Sequence, residues 1–189
     1  MELFDRRRYY FCRYCGTFHF LDAPERDGIQ VLETPPQALR CTRCSGVLAS
    51  AVLDGNHPVK YCTTCRGVLL PRATFAHVVQ ARRTWATGQP VAPLPLNRTE
   101  LERLMSCPAC ASRMAVHPYY GPGNVIMDSC ETCNLVWLDF GELKQIEDAP
   151  GGDRGIRKPP QRSTATTLLP RERASLSSAE PLDLFDLFS

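Results

Sequence analysis

The sequence predicts a small metal-stapled α+β fold: two tandem units, each a β-hairpin with a short helix after it, behind an N-terminal half-unit and ahead of a disordered tail. Three observations predict it. All ten cysteines stand in C-x2-C pairs. Nineteen residues separate Cys107 and Cys110 from Cys130 and Cys133, and seventeen separate Cys41 and Cys44 from Cys62 and Cys65; both spacings are those of zinc sites. The hydrophobic fraction of 43% is ordinary, but apolar residues cluster around the cysteines with Pro-rich breaks between, so small modules are expected rather than one large core. A module of roughly 40 residues rarely holds a fold by burial alone. A structural zinc supplies on the order of 10–16 kcal/mol of apparent binding free energy, and this becomes folding free energy.

Residues 1–36 form the N-terminal hairpin. Arg6, Arg7 and Arg8 lead into Tyr9, Tyr10 and Phe11, then the knuckle Cys12 to Cys15 with Gly16 behind it. Phe18, Phe20 and Leu21 alternate with Thr17 and His19 as a strand begins, Asp27-Gly28 makes a turn, and Ile29, Val31 and Leu32 read as the returning strand. This segment carries half the metal ligands of the others.

Residues 37–84 hold the first complete set. After Cys65 comes a short strand, then a helix with Phe75, Val78 and Val79 on its apolar face and Arg82 and Arg83 near its end, where cations suit the helix dipole. Residues 85–98 are a Pro-rich linker of limited flexibility. Residues 99–149 repeat the plan. Thr99 and Glu102 read as a capping box for a short helix with Leu101, Leu104 and Met105 on one face. After Cys133, Val136, Trp137 and Leu138 read as a buried strand. Asp139 and Glu142 form a second capping box, followed by Leu143 and Ile146 on one face. Aligned on the cysteines, Val68 matches Val136, Leu70 matches Leu138, Phe75 matches Leu143 and Val78 matches Ile146, which marks an internal duplication. Residues 150–189 shift to Pro, Ser, Thr, Arg and Gly, the composition of a disordered tail, and end on an apolar motif from Pro181 to Phe188.

Cys107-Pro-Ala-Cys110, Met114, the pair Cys130 and Cys133, and the run VWLDFGELKQI at 136–146 together resemble the zinc-ribbon family named after transcription factor IIB, as found in small bacterial proteins. The resemblance covers residues 40–148 and implies two tandem zinc ribbons. Ala111 and Leu135 stand where that family often carries glycine. The first copy keeps the glycine as Gly67 but has Leu69 at the Trp position and Pro71 at the capping Asp. Ribbons of this type often occur in transcription or nucleic-acid machinery, so the resemblance implies such an association by analogy of fold.

The expected metal ligands are Cys41, Cys44, Cys62 and Cys65 for one ion and Cys107, Cys110, Cys130 and Cys133 for another, giving two zinc ions per chain. The pair Cys12 and Cys15 is left over. Three fates are open to it: a third, weaker site with His19 and another ligand, a metal shared across a dimer, or a vestigial or oxidisable thiol pair. His57 and His117 fall between knuckles and read as exposed loop residues; His77 reads as solvated. Paired four-cysteine knuckles also hold iron in rubredoxin-like proteins, so the spacing alone does not choose the metal.

No phosphate-binding Gly-rich loop and no HExxH motif occurs, and a closed four-cysteine shell lacks the open position that catalysis needs. A non-enzymatic zinc-binding interaction module is therefore expected, with a thiol-redox or metal-responsive protein as the alternative. Ten paired thiols without an apolar leader or a membrane-length apolar run point to a reducing cytoplasm and no membrane. Between residues 41 and 90 six Lys/Arg face Asp54 alone, whereas residues 91–150 carry eight Asp/Glu against four Lys/Arg. Any nucleic-acid contact is thus expected within residues 1–90, and a protein partner through the tail motif at Pro181–Phe188, with Leu184 and Phe185 as anchors.

Overall fold

A computed structural model describes residues 1–4, 9–15, 17–21, 27–33 and 38–156, all within one compact unit. Arg6–Arg8, Gly16, the Pro181–Phe188 motif and most of the expected tail lie outside the described residues. The strands in chain order are β1 (Glu2–Phe4), β2 (Tyr9–Phe11), β3 (Phe18–Phe20), β4 (Ile29–Glu33), β5 (Leu48–Leu53), β6 (His57–Cys62), β7 (Val68–Pro71), β8 (Ala115–Pro118), β9 (Ile126–Cys130) and β10 (Leu135–Leu138). Helix α1 (Arg72–Trp85) follows β7 and helix α2 (Glu142–Asp148) follows β10. No described helix is long and apolar enough to cross a membrane.

The two halves are not separate modules. They share one seven-stranded sheet in the order β4-β5-β6-β7-β10-β9-β8. At its centre β7 pairs antiparallel with β10, and Leu69 lies opposite Trp137, its own counterpart in the duplicated sequence. Val68 with Leu138 and Leu70 with Val136 continue the same two-fold register, and Pro71 with Leu135 completes the ladder. One face of the central strands buries Leu70, Val136 and Leu138, with Val68 partly buried beside them, against Phe75, Val78 and Val79 of α1 and Ile146 of α2. The other face buries Leu69 and Trp137 among the cysteines. Period-two alternation thus gives each strand a helix-facing side and a cysteine-facing side. The expectation of separate small cores gives way to two apolar clusters, one on each face of the sheet and each built from both halves, because neither β7 nor β10 has a partner on that side within its own half.

Several local expectations change for physical reasons. The expected N-terminal return strand, β4, pairs with β5 at the edge of the large sheet, while β1, β2 and β3 form a small sheet of their own. That sheet turns one aromatic face to the body: Tyr9 and Phe20 pack edge-on against Phe140. The linker at 85–98 is tied down, since Ala86 is buried, the Val91 amide donates to the Asp148 carbonyl and Asn124 donates to the Leu94 carbonyl. The helix expected after Thr99 shortens to a 3-10 turn at Arg98–Glu102, capped by the Asn97 side chain instead of Thr99. Beyond it the chain extends so that the Met105 carbonyl can accept from the Met114 amide; Met105 is buried and Leu104 exposed.

Half of the second capping box forms, with the Asp139 amide donating to Glu142 Oε2 at 2.7 Å. The Asp139 carboxylate is used elsewhere, and Gly141, at φ 84°, precedes the helix. Helix α1 starts at Pro71 without a side-chain cap, as the loss of the aspartate implies. Arg82 and Arg83 serve partners outside their own helix. Arg82 pairs with Asp54, and Arg83, 1% exposed, donates to the Ile146 and Ala149 carbonyls at the end of α2 and to Asp153. Residues 150–156, expected to open the tail, are held by Asp153 and by Arg154, which donates to the Glu147, Thr87 and Gly88 carbonyls. His57 and His117 lie in strands β6 and β8 instead of loops; His117 bonds the Ser129 hydroxyl at 2.9 Å. His77 is exposed on α1, its ring edge-on to that of His57.

Candidate metal centres

Each knuckle is a local consequence of chain geometry. In the knuckles starting at Cys41, Cys62 and Cys107 the first cysteine's amide donates to the carbonyl five residues on, and the amide four residues on donates back to the first cysteine's carbonyl. This tight turn brings the two sulfurs of a C-x2-C pair to one side. It also forces a left-handed residue four positions after the first cysteine: Ser45, Arg66, Ala111 and Asn134 have φ of 61°, 59°, 60° and 54°. The left-handed position therefore falls one residue before Gly67 and Leu135. Gly67 is small for a different reason: a Cβ there would lie 2.1 Å from Cζ2 of Trp137.

The knuckles meet as the spacing predicts. Cys41, Cys44, Cys62 and Cys65 bring their sulfurs within 4.8 Å of one another, and so do Cys107, Cys110, Cys130 and Cys133. In the first cluster Cys41 lies 3.6 Å from Cys65 and Cys44 lies 3.4 Å from Cys62; in the second, Cys110 lies 3.6 Å from Cys130. A tetrahedral ion with metal–sulfur bonds of about 2.3 Å would hold its sulfurs ~3.8 Å apart, so both clusters fit one metal ion each. The Cys65 and Cys133 amides point at the sulfurs of Cys62 and Cys130, both at 3.4 Å, which favours the thiolate form.

The electrostatics of the clusters is that of crowded sulfurs sharing few charges. In the first, hydrogen bonds from Cys41 and Cys65 hold Cys62 down at about 2. In return the bond to Cys62 pushes Cys41 up to about 12, and bonds to Cys41 and Cys62 push Cys65 up as well. In the second, the Ser112 hydroxyl and amide lower Cys110 to about 6, the bond to Cys110 raises Cys133 to about 12, and burial raises Cys107. Each cluster thus holds one thiol down and others up, Cys62 against Cys41 and Cys65 and Cys110 against Cys107 and Cys133, and a cation of charge two or more would displace the protons of the raised thiols.

The two centres differ in their surroundings. The first has Arg43 and Arg66 inside its knuckles. Arg43 reaches Asp139 at 3.4 Å, and the Arg66 guanidinium lies 4.1 Å above the Phe20 ring. The second has no Lys or Arg inside its knuckles, carries Glu131, and leaves Cys110 exposed. Between the centres runs a buried polar chain that sequence reasoning missed. Arg103 bridges Asp128 and Asp139, and Trp137 Nε1 donates to Asp139 at 3.0 Å. Burial pushes Asp128 up, against the pull of Arg103. Nothing in the spacing of these residues announces the network, because its members are twenty-five and thirty-six positions apart.

The third expected site does not assemble with His19. Among the described residues, only the two clusters gather three or more potential metal ligands. His19 is exposed on β3, its ring beside Tyr10, on the opposite side of the strand from Phe18 and Phe20. Comparison with known proteins found no matching protein family, no similar curated protein and no similar solved structure.

Proposed function

We propose that this chain is a non-enzymatic zinc-binding interaction module, made of two zinc ribbons of the transcription-factor-IIB type fused through their third strands. The observation that carries the reading is the pair of complete four-sulfur clusters, each built from two C-x2-C knuckles with a left-handed residue at the same place. Four thiolates leave no coordination position for a substrate, so the metal's role is to hold the fold. Zinc is the ion proposed because a closed, tetrahedral, all-thiolate shell suits a metal without redox chemistry.

The work of such a module is recognition. The first half brings basic residues to the surface, including Arg40 and Arg72, and this supports nucleic acid as one class of partner for residues 1–90. The tail motif supports a protein partner. In this reading the protein works in a reducing cytoplasm.

Native mass spectrometry of protein purified without added metal tests the assignment. It predicts zinc in both clusters, and iron or empty clusters would overturn it. Recovery of partners by the full chain against a Leu184→Ala/Phe185→Ala variant tests the recognition role: the variant should lose the protein partner and keep its zinc.

The competing reading is thiol redox. One observation stands on its side: Cys15 is exposed, and the Thr17 hydroxyl and amide lower it to about 7. That reading predicts a Cys12–Cys15 disulfide under mild peroxide with a cellular consequence of its own. The interaction reading predicts binding indifferent to it.

A further inference from the structure

Cys12 and Cys15 are folded as half of a metal centre. The Cys12 amide donates to the Thr17 carbonyl at 3.0 Å, the same five-residue closure made by Cys41 to Gly46, Cys62 to Gly67 and Cys107 to Ser112. The knuckle sits at the tip of the β2–β3 hairpin, whose register (Tyr9 with Phe20, Phe11 with Phe18) fixes both its ends. Arg13, Tyr14 and Cys15 are all exposed, Tyr14 completely. The hairpin itself is anchored to the body through Tyr9, Phe20 and Phe140. The tip thus presents exposed Cys15 beside half-buried Cys12, and the other eight cysteines are committed to the two clusters.

The complete clusters show how such a half is filled. In the first, the first cysteine of one knuckle touches the second cysteine of the other, in both directions: Cys41 with Cys65, and Cys62 with Cys44. That exchange pattern is a two-fold relation between knuckles, and identical knuckles satisfy it without any change. A second copy of this chain therefore supplies the missing half, in an isologous contact.

We propose that two chains share a third zinc ion, held by Cys12 and Cys15 of each, and that this ion clasps the protein into a symmetric dimer. On coordination the thiol protons leave to solvent and four thiolates surround the ion, a complex of formal charge −2. Arg13 lies between the two cysteines of each knuckle, the place that Arg43 holds between Cys41 and Cys44. Arg13 is held near Glu2 of β1, at 2.6 Å, on the exposed surface. The proposal rests on the zinc reading of the two clusters, and zinc stoichiometry separates the two claims.

The test is zinc content together with light-scattering mass, measured on the full chain purified under reductant. The expected result is a dimer with about 2.5 zinc ions per chain, and a Cys12→Ser/Cys15→Ser variant that is a monomer with about 2.0. Tagged and untagged chains mixed after purification should co-purify with zinc and separate after mild chelation. A wild-type monomer at about 2.0, or at about 3.0 from a site closed within one chain, overturns the dimer clasp. So does a dimer that survives the double substitution, or a Cys12–Cys15 disulfide that persists under reductant. Absence of zinc from all sites would overturn the reading beneath it instead.

Discussion

A methyl group at residue 67 would overlap the Trp137 ring, since a Cβ at that position would lie 2.1 Å from Cζ2 and 2.7 Å from Cε2. Gly67→Ala is therefore expected to lower the stability of the zinc-loaded protein by about 1–3 kcal/mol, the usual cost of overpacking. In a Trp137→Leu background the same substitution should cost measurably less, because the two residues share one contact. Denaturant titration of the four species checks both statements. Arg83 offers a second case. Arg83→Met would strand the Ile146 and Ala149 carbonyls, each hydrogen-bonded to it in a buried position. An expected loss of about 1–3 kcal/mol per stranded group makes Arg83→Met, with two buried carbonyls, costlier than Arg82→Met, which donates to one part-buried carbonyl, that of Asp27, and otherwise pairs with half-exposed Asp54. Melting curves of the two variants should rank accordingly. At this scale the gathering of eight cysteines into two clusters was legible, because a knuckle is a six-residue device whose ligand spacing is its own signature. Arg83 was not. An arginine in the last turn of a helix looks like a dipole partner for that helix, and only the placement of α2 reveals its acceptors.

At the scale of elements, the strand–helix succession after each second knuckle was readable from short apolar runs, and the boundaries of α1 agree with its apolar face. What the sequence hid was which strand meets which. β4 looks like a partner for β3 because Asp27-Gly28 is a turn, yet the Gly28 carbonyl accepts from the Asp54 amide and sends the strand alongside β5. The meeting of β7 with β10 joins residues nearly seventy positions apart, and no local signal encodes it. One consequence can be measured. A fragment of residues 27–98 would expose Val68 and Leu70 where α2 and β10 now cover them. With zinc it should keep its first knuckle pair yet lack a cooperative melting transition. A fragment as cooperative as the whole chain would show that the shared core is dispensable.

At the scale of the molecule, metal and protons compete for the same sulfurs. Cys41 and Cys133 are held near 12, so they carry protons at neutral pH, and zinc must displace them. The sign follows directly: each displaced proton makes the apparent affinity rise with pH, by at least about one log unit per pH unit for each cluster. Chelator competition at several pH values should show zinc held most weakly at the acid end, and a flat profile would mean that the thiols are already ionised in the free protein. Because both clusters lie in one buried group with Leu69 and Trp137, stripping zinc from either should disturb the other. Cys130→Ala is accordingly expected to weaken zinc binding by Cys41, Cys44, Cys62 and Cys65, which two independent modules would not show; zinc titration of the variant reads this out.

The opposition of Leu69 and Trp137 also restricts which halves can recognise each other. Were the second half to pair with another copy of itself through β10, two indoles would face one another, and Leu135 would occupy the place that Gly67 leaves clear. The first half paired with itself would place Gly67 diagonal to Leu69 and leave a hole where the indole belongs. Only the mixed pairing fills the space without collision. The two halves thus present complementary shapes at this seam, and the fit is heterotypic: by side-chain clearance each half suits its sibling better than its twin.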